Sequence, residues 1–332
     1  MDKERKLIDL VSPLLPRSKF QINGLFQSDS EIVQEFGGFT LFNIDEFSSE
    51  DHFRENDGFS LGWNMAVGAI SDIYATGGKP VYYLHSLTVD KNWEEEYITE
   101  IVKGVSKALE KSSVSFLGGD LGVSDQWRYT ATVIGRAEKP VMRSGAKSGD
   151  SVFMTGKIGK GNIEAFLKIF SDRTIVSKIS EFLPLKLPLR VEESDLISKF
   201  ATSCIDTSDG VFNGINTIAE MSKCGFCIEK LPFLKGASVI SKLSKLSKLL
   251  LFFGEAGEYE LLFTVPKNRL EQFLQEAKNY DFNYLGKITT GRKELKYKEK
   301  TYNLENFSLR ARDFEKVKDY ISEVSKWVEK ES

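Results

Sequence analysis

The chain has 332 residues, of which 41% are hydrophobic, 28% charged and 12% aromatic, and 45 Lys and Arg against 48 Asp and Glu leave a formal net charge of −3. At roughly 150 residues per domain this suits about two domains, each able to bury its own core. The near-balance of charge excludes a long-range pull toward nucleic acid or an anionic membrane surface. The longest apolar run, Leu249 to Phe253, is far shorter than the roughly 20 residues needed to span a bilayer. The opening MDKERKLIDL has charges where a signal peptide needs apolar residues, so the expectation is a soluble, cytoplasmic protein.

Residues 1–20 read as a short amphipathic helix stopped by Pro13 and Pro16. FTLFNID (39–45) reads as a strand ending on a carboxylate. Residues 59–76 carry small and apolar residues at helical spacing and stop at Gly77-Gly78. YYLHSLTV is a strand, 93–111 a charged amphipathic helix, SVSFLGGD a strand ending at two glycines and Asp120, and YTATVIGRA another strand. The turn-rich Arg143-Ser-Gly-Ala-Lys-Ser-Gly-Asp150 marks the domain boundary, dividing the chain into 1–140 and 141–332. Beyond it come the strand SVFMTG, the loop GKIGKG, the helix NIEAFLKIF, then SCIDTSDG leading into the helix VFNGINTIAEMSK, and a strand EYELLFTV after the turn GEAG. SKLSKLSKLL reads as one helix with Leu243, Leu246 and Leu249/Leu250 inward, and KVKDYISEVSKWVEK as another amphipathic helix. Strands and helices alternate in both halves, which makes the class α/β or mixed α+β.

Three cysteines are too few for a disulfide framework. Cys224-Gly-Phe-Cys227 has C-x-x-C spacing, but it follows a helix and runs into a strand, and zinc would need two further soft ligands from Cys204, His52 and His85. It reads as a structural turn, and His85 as a core histidine.

The chemistry lies in the aspartates. Asp29, Asp45, Asp72, Asp120, Asp206 and Asp209 each stand beside small residues at the end of an apolar run. One such residue is ordinarily a helix cap or turn former. Six, without histidine or thiol partners, suit a hard-oxygen site for Mg²⁺ carrying nucleotide phosphates. There is no Walker A loop, since Gly156-Lys-Ile-Gly-Lys-Gly161 lacks the terminal Lys-Ser/Thr. That loop nevertheless offers backbone N–H groups to an anion. Gly118-Gly119-Asp120 is sharper, because two glycines let backbone and carboxylate approach one phosphate–metal group.

In order along the chain, SDIYATGGKP, FLGGD, RSGAKSGDSVFMTG, CIDTSDG and EYELLFTVP resemble the motifs of the ATP-dependent superfamily related to aminoimidazole ribonucleotide synthase, and within it those of the thiamine-monophosphate kinases. The resemblance implies an N-terminal mixed domain that forms a β-barrel across a homodimer, a C-terminal α/β domain, and ATP with Mg²⁺ in the cleft between them. Carried over, Asp29, Asp45, Asp72, Asp120 and Asp209 match metal or nucleotide-phosphate carboxylates, Gly119 and Arg143 lie by the nucleotide, and His52, Phe53, Ser208 and Asp209 lie on the substrate side. It implies no side-chain nucleophile: the acceptor phosphate attacks the γ-phosphorus directly.

The chain departs from the family pattern at several positions. Gln27-Ser28-Asp29 stands for G-D-D, Ile44-Asp45 for T-D, Glu50 for a Gly, and Leu121-Gly122-Val123 for T-T-R. Lys160 occupies an acid's place and is expected at the nucleotide, Gly214 replaces an Asp, Glu255-Ala-Gly-Glu258 replaces G-G-E-D, and SLRARDFEK lacks the aromatic substrate motif. Two alternatives accompany the kinase reading. Other superfamily enzymes are disfavoured because no Cys precedes Cys204 and the chain ends WVEKES. A non-catalytic metabolite-binding relative would gather Ser28, Ile44, Lys160 and Gly214 in one pocket.

Overall fold

Each half of the chain builds one open mixed sheet, and the computed structural model describes residues 3–35, 37–49, 57–170, 186–244 and 246–330. The first half contains α1 (Lys3–Val11), β1 (Glu31–Glu35), β2 (Gly38–Ser48), α2 (Gly58–Ala75), β3 (Lys79–Asp90), α3 (Glu95–Ser112), β4 (Ser115–Ser124) and β5 (Arg128–Ala137). Its strand order is β1-β2-β5-β3-β4. β3 and β4 are parallel, as the α3 crossover between them requires, and the other pairings are antiparallel.

The second half contains β6 (Ser151–Thr155), α4 (Lys160–Phe170), α5 (Val191–Phe200), β7 (Ser203–Asp206), α6 (Val211–Ser222), β8 (Gly225–Ile228), α7 (Ala237–Ser244), α8 (Leu249–Phe253), β9 (Leu261–Val265), α9 (Leu270–Glu276), β10 (Phe282–Thr289), β11 (Lys293–Tyr297), β12 (Lys300–Asn303) and α10 (Val317–Lys330). The order is β12-β11-β8-β10-β6-β9-β7. Among the described residues neither sheet closes into a barrel, and no helix is long and apolar enough to cross a membrane.

Helix α2 joins the halves. All its residues except Phe59 and Asp72 are buried, as expected of a helix enclosed on every side. Asp57 caps its start by accepting from Ser60 N at 2.7 Å. Against the first sheet it meets the alternate residues Leu41, Asn43, Asp45 and Phe47 of β2, and Phe42, Ile44 and Glu46 point to the other face. Trp63 Nε1 donates to Leu187 O at 2.9 Å, Asn64 Oδ1 accepts from Leu187 N at 2.7 Å, and Ser71 Oγ donates to Asp206 Oδ2 at 2.7 Å. One core accordingly spans both halves, running from Ile70 and Tyr83 to Phe153 and Phe263, while a second packs α6, α8 and α10 on the other side of the second sheet.

Three element readings need correction. β4 continues to Ser124, so Gly118-Gly119-Asp120 lies inside a strand: Leu117 is the extra residue of a bulge opposite the Tyr83–Leu84 step, and the ladder resumes at Gly118, whose φ is +152°. EYELLFTV is strand only over Leu261–Val265, because Tyr259 takes a left-handed φ of +52° and Glu258 and Glu260 bond to the Thr207 backbone in a turn before the ladder begins. SKLSKLSKLL is broken between α7 and α8. Leu246 N donates to Ser241 O at 3.2 Å, and Ser241 Oγ donates to Leu246 O at 2.5 Å, a local turn that competes with helix.

Candidate active site

Asp29, Asp72 and Asp206 converge from three segments, with one carboxylate oxygen of each within 4.8 Å of the others. Asp72 lies three and four residues after Ala69 and Gly68, on the same face of α2. Ala69 O accepts from Asn43 Nδ2 at 3.0 Å, and a Cβ on Gly68 would fall 2.5 Å from the Phe47 ring, so this face looks onto β2 where Asp45 points inward. Asp29 is brought in by a strap of hydrogen bonds: Arg143 N to Gln27 O at 2.8 Å, Ser30 N to Thr76 Oγ1 at 3.1 Å and Ser30 Oγ to Asp72 O at 3.0 Å. Asp206 ends β7; its N–H donates to Asp29 Oδ2 at 3.2 Å, and its Oδ1 accepts from Ser208 Oγ at 2.7 Å.

Burial pushes the Asp29 carboxyl up to about 7, Arg143 opposing the shift and the Asp206 charge adding to it. Asp72 is raised well above the usual carboxylate range by burial first, then by Asp206, Asp29 and Asp45. Arg143, whose Nε donates to Asp29 Oδ1 at 2.5 Å and whose NH2 also pairs with it, is the cation among these carboxylates. Among the described residues, one guanidinium against the three clustered acids and the neighbouring Asp45 leaves negative charge uncompensated. An all-oxygen carboxylate set with that surplus fits a hard divalent cation such as Mg²⁺, with Asp29, Asp72 and Asp206 as its holders and Asp45 beside them.

The other expected residues go elsewhere. Asp120 pairs in register with Ser86, which lies opposite Thr130, itself opposite Glu46. That row is on the sheet face opposite Asp45, three strands away, or about 14 Å. Gly119 lies against His85, where a Cβ would sit 2.1 Å from the His85 carbonyl oxygen. Lys160 opens α4, and its ammonium donates to Lys186 O, away from the cluster. Asp209 sits between Arg310 and Arg312, at 3.7 and 3.5 Å. Ser208 serves Asp206. His52, Phe53 and Glu50 fall outside the described residues.

The GKIGKG loop does hold an anion, but one from this chain. Glu258 accepts from Gly159 N at 2.9 Å, Gly161 N at 2.8 Å and Asn162 Nδ2 at 3.1 Å. Burial still pushes its carboxyl up to about 7 against those donors. The third member of the cluster, Asp206, is in the aspartate series but is not one the resemblance marks as a ligand. Its placement depends on Ser71 and Asp29, which are far away in sequence. Arg310 and Arg312 carry no sequence signal beyond the missing aromatic motif, and Glu255 none beyond the altered G-G-E-D stretch.

Residues 29–137 match the model of the AIR synthase related protein N-terminal domain. The chain is 30% identical over 254 residues to the thiamine-monophosphate kinase of Pyrococcus horikoshii, covering 76% of this chain and 78% of that protein. It is 29% identical over 299 residues to that of Aquifex aeolicus, covering 86% and 91%. Among solved structures, one described as AaThiL complexed with AMPPCP and TMP superposes with a TM-score of 0.75 at 26% identity, covering 89% of this chain and 94% of that one. The convergent carboxylates, the ordered motifs and these likenesses agree: the chain belongs to the thiamine-monophosphate kinase family.

Proposed function

We propose that this protein transfers the γ-phosphoryl group of Mg²⁺-bound ATP to the phosphate of thiamine monophosphate, giving thiamine diphosphate and ADP. The observation that carries this reading is the Asp29–Asp72–Asp206 cluster with Asp45 beside it, in a fold shared with a structure described as holding AMPPCP and TMP. Asp29, Asp72 and Asp206 would hold Mg²⁺, which would supply charge neutralisation for the transferring phosphoryl group. An acceptor phosphate oxygen forms the new P–O bond as the β,γ-bridging P–O bond breaks and leaves with ADP. A phosphomonoester is already largely ionised at neutral pH, so no general base is needed. The chain's contribution is positioning: Ser71 and Ser208 orient Asp206, and Arg143 orients Asp29.

The departures from the family pattern support catalysis over a repurposed pocket, because they do not gather. Ser28 Oγ lies 3.4 Å from Thr76 Oγ1, Ile44 is on the outer sheet face, Lys160 reaches Lys186 O, and Gly214 lines a cavity beside Asp206. The two-domain division near residue 141 and a cytoplasmic setting belong to the same reading, the latter supported by three free cysteines.

A homodimer is part of it. The outer face of the first sheet exposes Phe42, Ile44 and Tyr82, and the edge strand β4 exposes Phe116, Leu117, Leu121 and Val123. A long apolar edge of this kind is normally covered. A second copy on this face would close a barrel from the two sheets and enclose Asp120.

The test is thiamine diphosphate formation from thiamine monophosphate with Mg²⁺–ATP. The expected result is turnover that stops when Mg²⁺ is chelated and falls by at least about 100-fold in Asp72→Asn. Wild-type protein that forms neither ADP nor thiamine diphosphate would defeat the proposal.

A further inference from the structure

Beside the carboxylate cluster lies a cavity of about 210 Å³. Asp206 of the cluster and its neighbour Arg143 are among its lining residues, and so are Arg310 and Arg312. Its volume is below the roughly 300–1,000 Å³ of a pocket that encloses a drug-sized ligand. It has room for a phosphoryl group and the first atoms attached to it, with the rest of the ligand outside.

The cationic wall is built rather than incidental. Glu255 Oε1 accepts from Arg310 Nε at 2.9 Å, and its Oε2 accepts from Ala311 N at 3.1 Å. One carboxylate thus fixes both the stem of the Arg310 guanidinium and the backbone between the two arginines. The NH2 groups of Arg310 and Arg312 then approach the same oxygen, Asp209 Oδ2, at 3.7 and 3.5 Å. Both distances exceed the roughly 2.7–2.9 Å of a charge-assisted hydrogen bond. The Asp209 side chain is also 62% exposed, so this carboxylate reaches solvent between the Arg310 guanidinium, which Glu255 holds, and that of Arg312.

A nucleotide's phosphates are neutralised on the carboxylate side by the metal. An acceptor phosphate facing them carries its own negative charge, and cations lining the same cavity offset that repulsion. We propose that Arg310 and Arg312 form a clamp for the phosphate of the acceptor, occupied by the Asp209 carboxylate until that phosphate displaces it. The clamp rests on the phosphotransfer reading above. With two acceptor oxygens on the guanidiniums, a third faces the cluster, where the bond to the γ-phosphorus forms and the bond to ADP breaks. The arginines remain protonated and exchange no proton with substrate. They are positioning and specificity residues for a phosphorylated acceptor.

Arg312→Gln is the primary variant, because Arg310 also anchors the fold through Glu255; Arg312→Lys is the conservative control. The KM for thiamine monophosphate should rise about ten- to a hundred-fold in Arg312→Gln, with the KM for ATP unchanged and partial recovery in Arg312→Lys. Calorimetry supplies a readout independent of turnover: inorganic phosphate, titrated without nucleotide or metal, should bind wild type and bind Arg312→Gln at least about ten-fold more weakly. An unchanged KM for thiamine monophosphate, or an equal rise for ATP, overturns the clamp. If wild type shows no turnover at all, the kinase reading fails, and the phosphate titration alone then decides the clamp: equal binding by wild type and Arg312→Gln refutes it.

Discussion

Two desolvated acids set much of this protein's behaviour with pH and metal. Asp72 is held at a site that disfavours its charge, through burial and three neighbouring carboxylates. Asp72→Asn should therefore raise the melting temperature of metal-free protein by a few degrees while abolishing the stabilisation that Mg²⁺ gives to wild type, a trade of stability for function. A thermal-shift series with and without Mg²⁺ checks both; a variant less stable than wild type without metal would contradict the electrostatic account. Glu258 acts on stability alone. Its carboxyl is raised from 4.5 to about 7. Below pH 4.5 it is protonated in both folded and unfolded chains. Between 4.5 and 7 the unfolded chain binds fewer protons, so stability falls as pH rises and then levels off. The span corresponds to about 3 kcal/mol. Denaturant midpoints measured from pH 4.5 to 8 should lose this descending component in Glu258→Gln, and parallel curves for the two proteins would refute it. At this scale the aspartates are legible from their small neighbours and their motifs. Membership of the cluster is not. Asp206 and Asp209 share one motif, yet Asp206 ends a strand beside Asp29 and Asp209 lies beyond it, against two arginines.

Helix α2 positions the site because its own packing leaves it little freedom. At its crossing with α3, a Cβ on Gly62 would lie 1.9 Å from Ile101 O, and one on Gly104 would lie 2.1 Å from Phe59 O. The two backbones are therefore in direct contact, and an added methyl has nowhere to go without separating the helices. Gly62→Ala should cost about 3 kcal/mol in chemical denaturation. Gly236→Ala, where nothing lies within 4 Å of the added Cβ, should cost almost nothing. Equal stabilities for the two variants would show that the crossing can relax. The small-residue spacing of 59–76 announces such a helix. The interruption of SKLSKLSKLL is hidden, because a three-residue repeat of Leu satisfies helical periodicity whether or not a serine closes a turn inside it.

At the scale of the whole molecule, the exposed face of the first sheet is the surface that the proposed dimer would cover. Ile44 is 69% exposed, and Leu121 and Val123 on the open edge are 68% and 69% exposed. If a second copy covers them, wild type sediments as a dimer, and Ile44→Lys, which changes a side chain on the surface without touching the core, sediments as a monomer with unchanged circular dichroism. A monomeric wild type would remove the dimer from the functional reading. The sequence by itself determined the alternating α/β class, most of the helices and strands, the family, and the kind of chemistry, because periodicity, glycine placement and aspartate motifs are local properties of the chain. Tertiary structure alone decided which carboxylates meet. It filled the glycine loop with Glu258, turned Asp120 to the face opposite Asp45, and brought Arg310 and Arg312 to the same cavity as Asp206. Each of these depends on strand register or on contacts more than 80 residues apart along the chain, distances over which no local pattern carries information.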